Sequence, residues 1–334
     1  MPLLKLPNEI LIQIAECLDP ADFTNFLVLN HFFKSLLVPL LHNIAFSDPA
    51  QYLDWACKRG HEHLARLLLE GGTSPSVQSC ISRYPLQEAA YYGHLPIVKL
   101  LLQHGADISA RDDDCGTALH YAAGSGHPDI VQLLLENGAD KEINGDMLHN
   151  VTPLMWAIKG LEMAYALNLE KANPECTVHY YWEEEGFLDT GMFSATELTE
   201  HRKYAMARMR EVVNILLEWG ADVTYSCNTG ESVLHAVAGL DEFDAVETAE
   251  LLLERGADLH AVDNEGNTPL HIAAYCGLPG LVTLFLEKGA DVNAEDSGGR
   301  TPYGGLVVGF HPEVHKILER AQEGAQNAKE DRKA

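Results

Sequence analysis

Thr268-Pro269-Leu270-His271-Ile272-Ala273-Ala274-Tyr275-Cys276-Gly277 decides how the rest of the chain is read. Thr268 is a good N-cap, and Pro269 suits the first helical position, where its missing N–H costs nothing. Leu270, Ala273 and Ala274 give the short helix a face of small residues that lets neighbours stack closely. Gly277 ends it in the left-handed conformation that glycine tolerates, and Gly60, Gly93 and Gly126 hold the same place in other copies. A second helix follows such a glycine: Ile130, Val131, Leu134 and Leu135 fall on one helical side. Gly138 stops that helix and Asp140 suits the turn after it. One such unit cannot bury its apolar face alone, so the units must stack.

Outward from this stretch, the pattern repeats. Gly-Ala-Asp begins at Gly105, Gly138, Gly220, Gly256 and Gly289, with a degenerate copy at Gly72, and the successive gaps are 33, 33, 82, 36 and 33 residues. The Thr-Pro-Leu-His stretch keeps the same beat at Thr117, Thr152, Ser232, Thr268 and Thr301, with a weaker copy at Tyr84-Pro85-Leu86-Gln87. A leucine run such as Leu133-Leu134-Leu135 precedes each glycine. A fixed period of this length is the signature of a repeat array.

These residues resemble the ankyrin-repeat family over about 50–325. The resemblance implies an all-α stack of about seven helix-turn-helix units with β-hairpin fingers, at 49–82, 83–115, 116–150, 151–230, 231–266, 267–299 and 300–325. The outer units are worn, as capping repeats are. The gap from Gly138 to Gly220 exceeds one beat by 49 residues, which places an insertion at about 161–208. Within it, Ser194-Ala195-Thr196-Glu197 is a capping-box pattern, so a long helix is expected from there to Trp219. The aromatic and acidic run Tyr180-Tyr181-Trp182-Glu183-Glu184-Glu185 reads either as a partner site or as aromatics packed on their own repeat beneath solvated acids. The polar end, 326–334, is expected to be disordered.

The first 48 residues do not share the beat. Ile10, Leu11, Ile14 and Leu18 fall on one helical face, and Asp19-Pro20 opens a second helix carrying Phe23, Phe26 and Leu27. A third apolar stretch runs from Phe32 to Leu41. Three short helices in so few residues make a marginal core that wants a partner surface. With Leu6-Pro7-Asn8-Glu9-Ile10-Leu11 opening, Leu18-Asp19-Pro20-Ala21-Asp22-Phe23 in the middle and Phe33-Lys34 closing, the segment resembles an F-box, a family in which many members carry Trp where this chain has Phe32-Phe33. The resemblance implies docking on the Skp adaptor subunit and cullin complex of a ubiquitin ligase through Leu6, Pro7, Ile10, Leu11, Ile14, Leu18 and Leu29. Each aliphatic side chain fully buried there contributes roughly 1.5–3 kcal/mol before association costs. The alternative is a helical cap that only seals the first repeat, leaving an interaction scaffold or inhibitor.

Composition limits the remaining functions. Of 334 residues, 46% are hydrophobic, enough for a sizeable core. A net charge of −26 argues against nucleic acid and anionic membrane, whose phosphates are held by Lys and Arg. No apolar run approaches a membrane span, and the leucine-rich start is a poor secretory signal. Seven scattered cysteines without a Cys-x-x-Cys pair read as reduced thiols, pointing to cytoplasm or nucleus. Phosphate-loop, His-Glu-x-x-His and Gly-x-Ser-x-Gly motifs are absent. Cys176, His179 and Glu183 to Glu185 form no recognisable catalytic arrangement, and His311 with His315 offers a metal only two ligands. No catalytic residue, metal or cofactor is therefore expected.

What remains is binding. The ankyrin resemblance implies a groove lined by finger tips and inner helices. Here these include Arg111, Asp113, Asp114, Asn228, Asn264, Glu265, Asn267, Glu295 and Arg300 on the tips, with Tyr91, Tyr92, Ser125 and Tyr275 on the helices. Tyrosines beside acids suit a basic or amphipathic protein target, though the same residues also read as merely solvated fingers. A capped stack is expected to be monomeric outside its complex. By the same resemblance His120, His235 and His271 bond neighbouring backbone rather than react.

Overall fold

The computed structural model describes residues 49–78, 83–145, 147, 150–160, 195–240, 242–304 and 311–331. The chain forms two compact units, Met1–Asp113 and Asp114–Ala334. The F-box-like segment with Leu6, Pro7, Ile10, Leu11, Ile14, Leu18 and Leu29, and the aromatic–acidic run at 180–185, lie outside the described residues.

The first unit holds α1 (Pro49–Arg59), α2 (Glu62–Glu70), α3 (Pro85–Tyr91) and α4 (Leu95–Gln103). Helix α1 packs on α2 and α3, α3 on α4, and α2 on α4, which is the stacking of two helix pairs. Ala89 and Ala90 are completely buried between inner helices, while Ile97, Val98 and Leu101 seal the outer row.

In the second unit come α5 (Ala118–Gly124), α6 (Pro128–Glu136), a 3-10 turn (Ala139–Glu142), α7 (153–160), α8 (Ala195–Glu218), α9 (Val233–Val237), α10 (Glu242–Glu254), α11 (Pro269–Cys276), α12 (Pro279–Glu287) and α13 (Pro312–Asp331). Helix α8 lies against α5 and α6, α9 against α10 and α11, and α12 against α10, α11 and α13. Ala122, Ala123, Ala273 and Ala274 are fully buried, so the short inner helices approach as closely as their small faces allow.

Where an inner helix ends, the next repeat leans on its glycine. A Cβ on Gly60, whose φ is +75°, would stand 2.7 Å from the His94 ring, so both the conformation and the contact require glycine. His94 Nε2 lies 3.1 Å from the Lys58 carbonyl it serves as donor. The repeat interrupted by the insertion solves the same problem with other residues: Met209 rests on Gly126, and Arg208 Nε donates to the Gly126 carbonyl at 3.0 Å.

Two expectations need correction. The fingers were expected as β-hairpins, yet among the described residues they carry only isolated antiparallel bridges, Met147 with Val151 and Ser226 with Ser232. Side chains close these tight turns in place of a ladder: Asp263 accepts the N–H groups of Glu265 and Asn267 at 2.9 and 2.8 Å. The end of the chain, expected disordered from 326, is helical as far as Asp331. Its Ala, Gln, Lys and Glu content favours continuation of the helix that begins at Pro312.

Candidate protein-interaction surface

Before any residue can face a partner, the fingers must be held, and a histidine at the third position of α5, α9 and α11 holds three of them. His235 Nδ1 accepts the Ser232 backbone N–H at 3.1 Å, and its Nε2 donates to the Asn267 carbonyl at 2.9 Å. His120 and His271 do the same, their Nε2 atoms donating to the carbonyls of Gly145 and Arg300 at 3.0 Å each. A carbonyl facing Nε2 and an N–H facing Nδ1 fix the neutral tautomer with its proton on Nε2. Gln87 copies both bonds, its Oε1 accepting from Tyr84 N at 2.8 Å and its Nε2 donating to Ala110 O at 3.1 Å. Burial holds the His235 imidazole below its ordinary pKa, and burial also lowers that of His61, which stacks on Trp55.

Aspartates brace the fingers from within. Asp296 Oδ1 accepts the N–H groups of Gly298 and Arg300 at 2.8 Å, and its Oδ2 accepts from Arg300 Nε at 2.8 Å. The Arg300 backbone N–H, followed by its side chain and the Gly298 N–H, keeps this carboxyl below the usual aspartate range. Cys227 occupies the equivalent position two fingers earlier, where its Sγ lies 2.8 Å from Thr229 Oγ1. There Lys159 Nζ reaches Glu231 Oε2 at 2.9 Å. Burial pushes the Glu231 pKa up, but the Lys159 bond and charge outweigh it and the net shift is downward.

In the first unit, Tyr91 and Tyr92 close α3 half-buried and edge to face, 4.9 Å between ring centres. The Arg83 guanidinium lies over Tyr91 at 5.2 Å, and burial pushes the Tyr91 hydroxyl pKa well up. Below them Lys58 stands 3.2 Å from Asp54 and 4.0 Å from the buried Glu88. Arg111 and Asp113 are exposed on the finger, on either side of buried Asp112.

In the second unit, Asp114 is exposed and Ser125 half-buried at the end of α5. The structure brings Asn228, Asn264, Glu265 and Glu295 onto adjoining fingers. Asn264 Nδ2 donates to Asn228 O at 2.8 Å, and Ser297 N donates to Glu265 O at 2.8 Å. Asn267 and Arg300 sit differently: the Asn267 side chain donates to Asp263 Oδ2 at 2.9 Å and Arg300 is tied to Asp296, so each braces its own finger. Tyr275 projects from α11 with 73% of its surface exposed.

Sequence reasoning passed over Val262, 57% exposed immediately before the finger aspartate Asp263, and Ile272, half-buried one turn before Tyr275. It also passed over Trp55, Tyr121 and Trp156, which share Ile272's register on their inner helices. That fixed offset from the Thr position was the available signal. Among the described residues no group of three or more His, Cys, Asp or Glu is placed to hold a metal ion, and no helix is long and apolar enough to cross a membrane. The His315 ring leans on Tyr303, 4.6 Å between centres.

Comparison with known proteins follows the same lines. A family model described as ankyrin repeats (3 copies) matches residues 29–112, 53–145, 111–178 and 203–296. No curated protein matches the chain in sequence. Among solved structures, the ankyrin repeat domain of human ASB11 is similar, with a TM-score of 0.59 and 19% identity, covering 80% of this chain and 96% of that one. The ankyrin repeat domain of Bcl-3, a member of the IkappaB protein family, gives 0.56 and 23%, covering 80% and 97%. With repeat matches over most of its length, the chain belongs to the ankyrin-repeat family.

Proposed function

We propose that this protein is a non-catalytic substrate receptor of a Skp–cullin–F-box ubiquitin ligase. Ankyrin repeats are protein-interaction modules, and the observation that carries the repeat half of the reading is the finger row. Asn228, Asn264, Glu265 and Glu295 are held side by side by backbone bonds that leave the carboxylates exposed. The adaptor half is carried by the Leu6 to Leu18 face, whose apolar residues exceed what one seam against a repeat requires. The docking face is assigned to Leu6, Pro7, Ile10, Leu11, Ile14, Leu18 and Leu29. Tyr91, Tyr92, Arg111 and Asp113 on the first unit, and Asp114, Ser125 and Tyr275 on the second, are further residues assigned to target binding. Catalysis is then proximity: the target is held so that its lysines meet a ubiquitin-charged enzyme supplied by partner subunits.

Co-purification with a Skp adaptor subunit tests this reading. Wild type is expected to form a stable complex, and Leu6→Ala/Pro7→Ala/Ile10→Ala to lose it with helical content and melting temperature intact. Absence of a complex with wild type contradicts the adaptor role and leaves an ankyrin scaffold whose N-terminal helices cap the stack.

A further inference from the structure

Within the second unit, one inner helix presents apolar surface that the fold does not use. The Tyr275 side chain makes no hydrogen bond, ion pair or ring contact with the described residues, and its ring is a large apolar area of the kind enriched at interfaces. Ile272 lies three residues earlier on α11, on the same helical face. Val262, more than half exposed, sits on the finger that leads into that helix. All three belong to one repeat, two on its inner helix and one on the finger leading into it, and together are called its apolar ledge.

The finger before α11 and the finger after α12 carry acids, and most of them are occupied. The fingers 258–268 and 291–301 together carry six acids and one base, Arg300. Asp258 and Asp291 accept the N–H groups of His260 and Asn293, and Asp263 and Asp296 brace their own fingers. Arg300, the one base, is tied to Asp296 at 2.8 Å. Glu265 and Glu295 are left: both are exposed, and neither carboxylate bonds to a described residue. Glu295 stands immediately before Asp296 as Val262 stands immediately before Asp263, so the two occupy one register on neighbouring fingers. The Ser297 N–H bond to the Glu265 carbonyl joins those fingers.

We propose that this ledge binds a segment of a partner protein in which an aliphatic side chain neighbours a lysine or arginine. The aliphatic group covers Ile272, Tyr275 and Val262, and the cation lies between Glu265 and Glu295. Charge complementarity selects this occupant: the one base on these fingers, Arg300, is already paired with Asp296, so the exposed carboxylates of Glu265 and Glu295 are left to attract a basic group from a partner. The assignment rests on the reading that the repeats hold a protein partner, and it specifies the chemistry of that partner.

The test is fluorescence anisotropy of the full chain with a short fluorescein-labelled peptide of alternating leucine and lysine. A leucine–glutamate peptide serves as the charge-reversed control. Tyr275→Ala and the double variant Glu265→Gln/Glu295→Gln are each expected to weaken binding about tenfold with unchanged melting temperature. The double variant Glu254→Gln/Glu287→Gln removes the same charge from the ends of outer helices and is expected to change affinity by less than about twofold. Equal weakening by both double variants would mean diffuse attraction to an acidic protein and would overturn the proposal. So would absence of binding to wild type, or a dimer dissolved by Tyr275→Ala, which would give the ledge to a second copy. Failure here is separable from failure of the adaptor role, because Leu6→Ala/Pro7→Ala/Ile10→Ala leaves peptide binding untouched.

Discussion

His235 shows how much depends on one proton. Its imidazole works only neutral, because Nδ1 must accept from Ser232 while Nε2 donates to Asn267. Its pKa is lowered in the fold, so between that value and the ordinary one near 6.5 the unfolded chain binds the proton and the folded chain does not. This contribution is therefore complete above the ordinary value and is lost as pH falls towards the folded one. Gln87, which makes the same two bonds without titrating, supplies the control. His235→Gln is expected to keep stability within about 1 kcal/mol at neutral pH and to flatten the decline between about pH 7 and 5, read by urea unfolding. His235→Ala, which strands the Asn267 carbonyl, is expected to cost about 1–3 kcal/mol. A Gln variant as pH-sensitive as wild type would show that other groups carry the dependence.

At the scale of the finger, conformation rather than charge is limiting. Two residues before the Thr or Ser cap, the chain enters left-handed space: Gly230, Gly266 and Gly299 do so with φ of +80°, +79° and +73°. Asn150 and Cys115 are forced there at +58° and +59°. Asparagine tolerates the region, whereas for other L-residues it costs roughly 1–2 kcal/mol. Cys115→Gly is therefore expected to stabilise the protein by about 0.5–1 kcal/mol after the added chain entropy is counted, seen as a higher urea midpoint at unchanged slope. A lower midpoint would show that the Cys115 side chain makes contacts worth more than the strain.

The repeat helices were legible because most are bounded by residues whose physics is local, Thr, Ser or Pro at the start and glycine near the end. Helix α8 was legible for the same reason: the Ser194 to Glu197 pattern marks its first turn, and it runs Ala195–Glu218. The fingers were not, since their shape comes from Asp263 and Asp296 reaching their own backbone and not from a strand pattern. Nor was the division of labour at the surface legible. Asn267 and Arg300 look like free polar tips until their carbonyls are seen accepting from His235 and His271. Val262 and Ile272 look like core until their positions are compared from repeat to repeat.

For the whole molecule, a charge of −26 on an array of protein-binding repeats argues for basic or amphipathic partners, approached faster at low salt. The ion pairs at exposed helix surfaces, such as Arg66 with Glu62 at 2.7 Å, are worth little individually and do not offset that field. What distinguishes this chain from a plain ankyrin scaffold is the claim made for its first residues. Hydrogen–deuterium exchange of the full chain with and without a purified Skp adaptor tests that claim most directly. The account predicts slower exchange across residues 6–18 on adding the adaptor, with exchange in α3, α5 and α11 unchanged. Unchanged exchange at 6–18, or protection confined to the repeats, would contradict it.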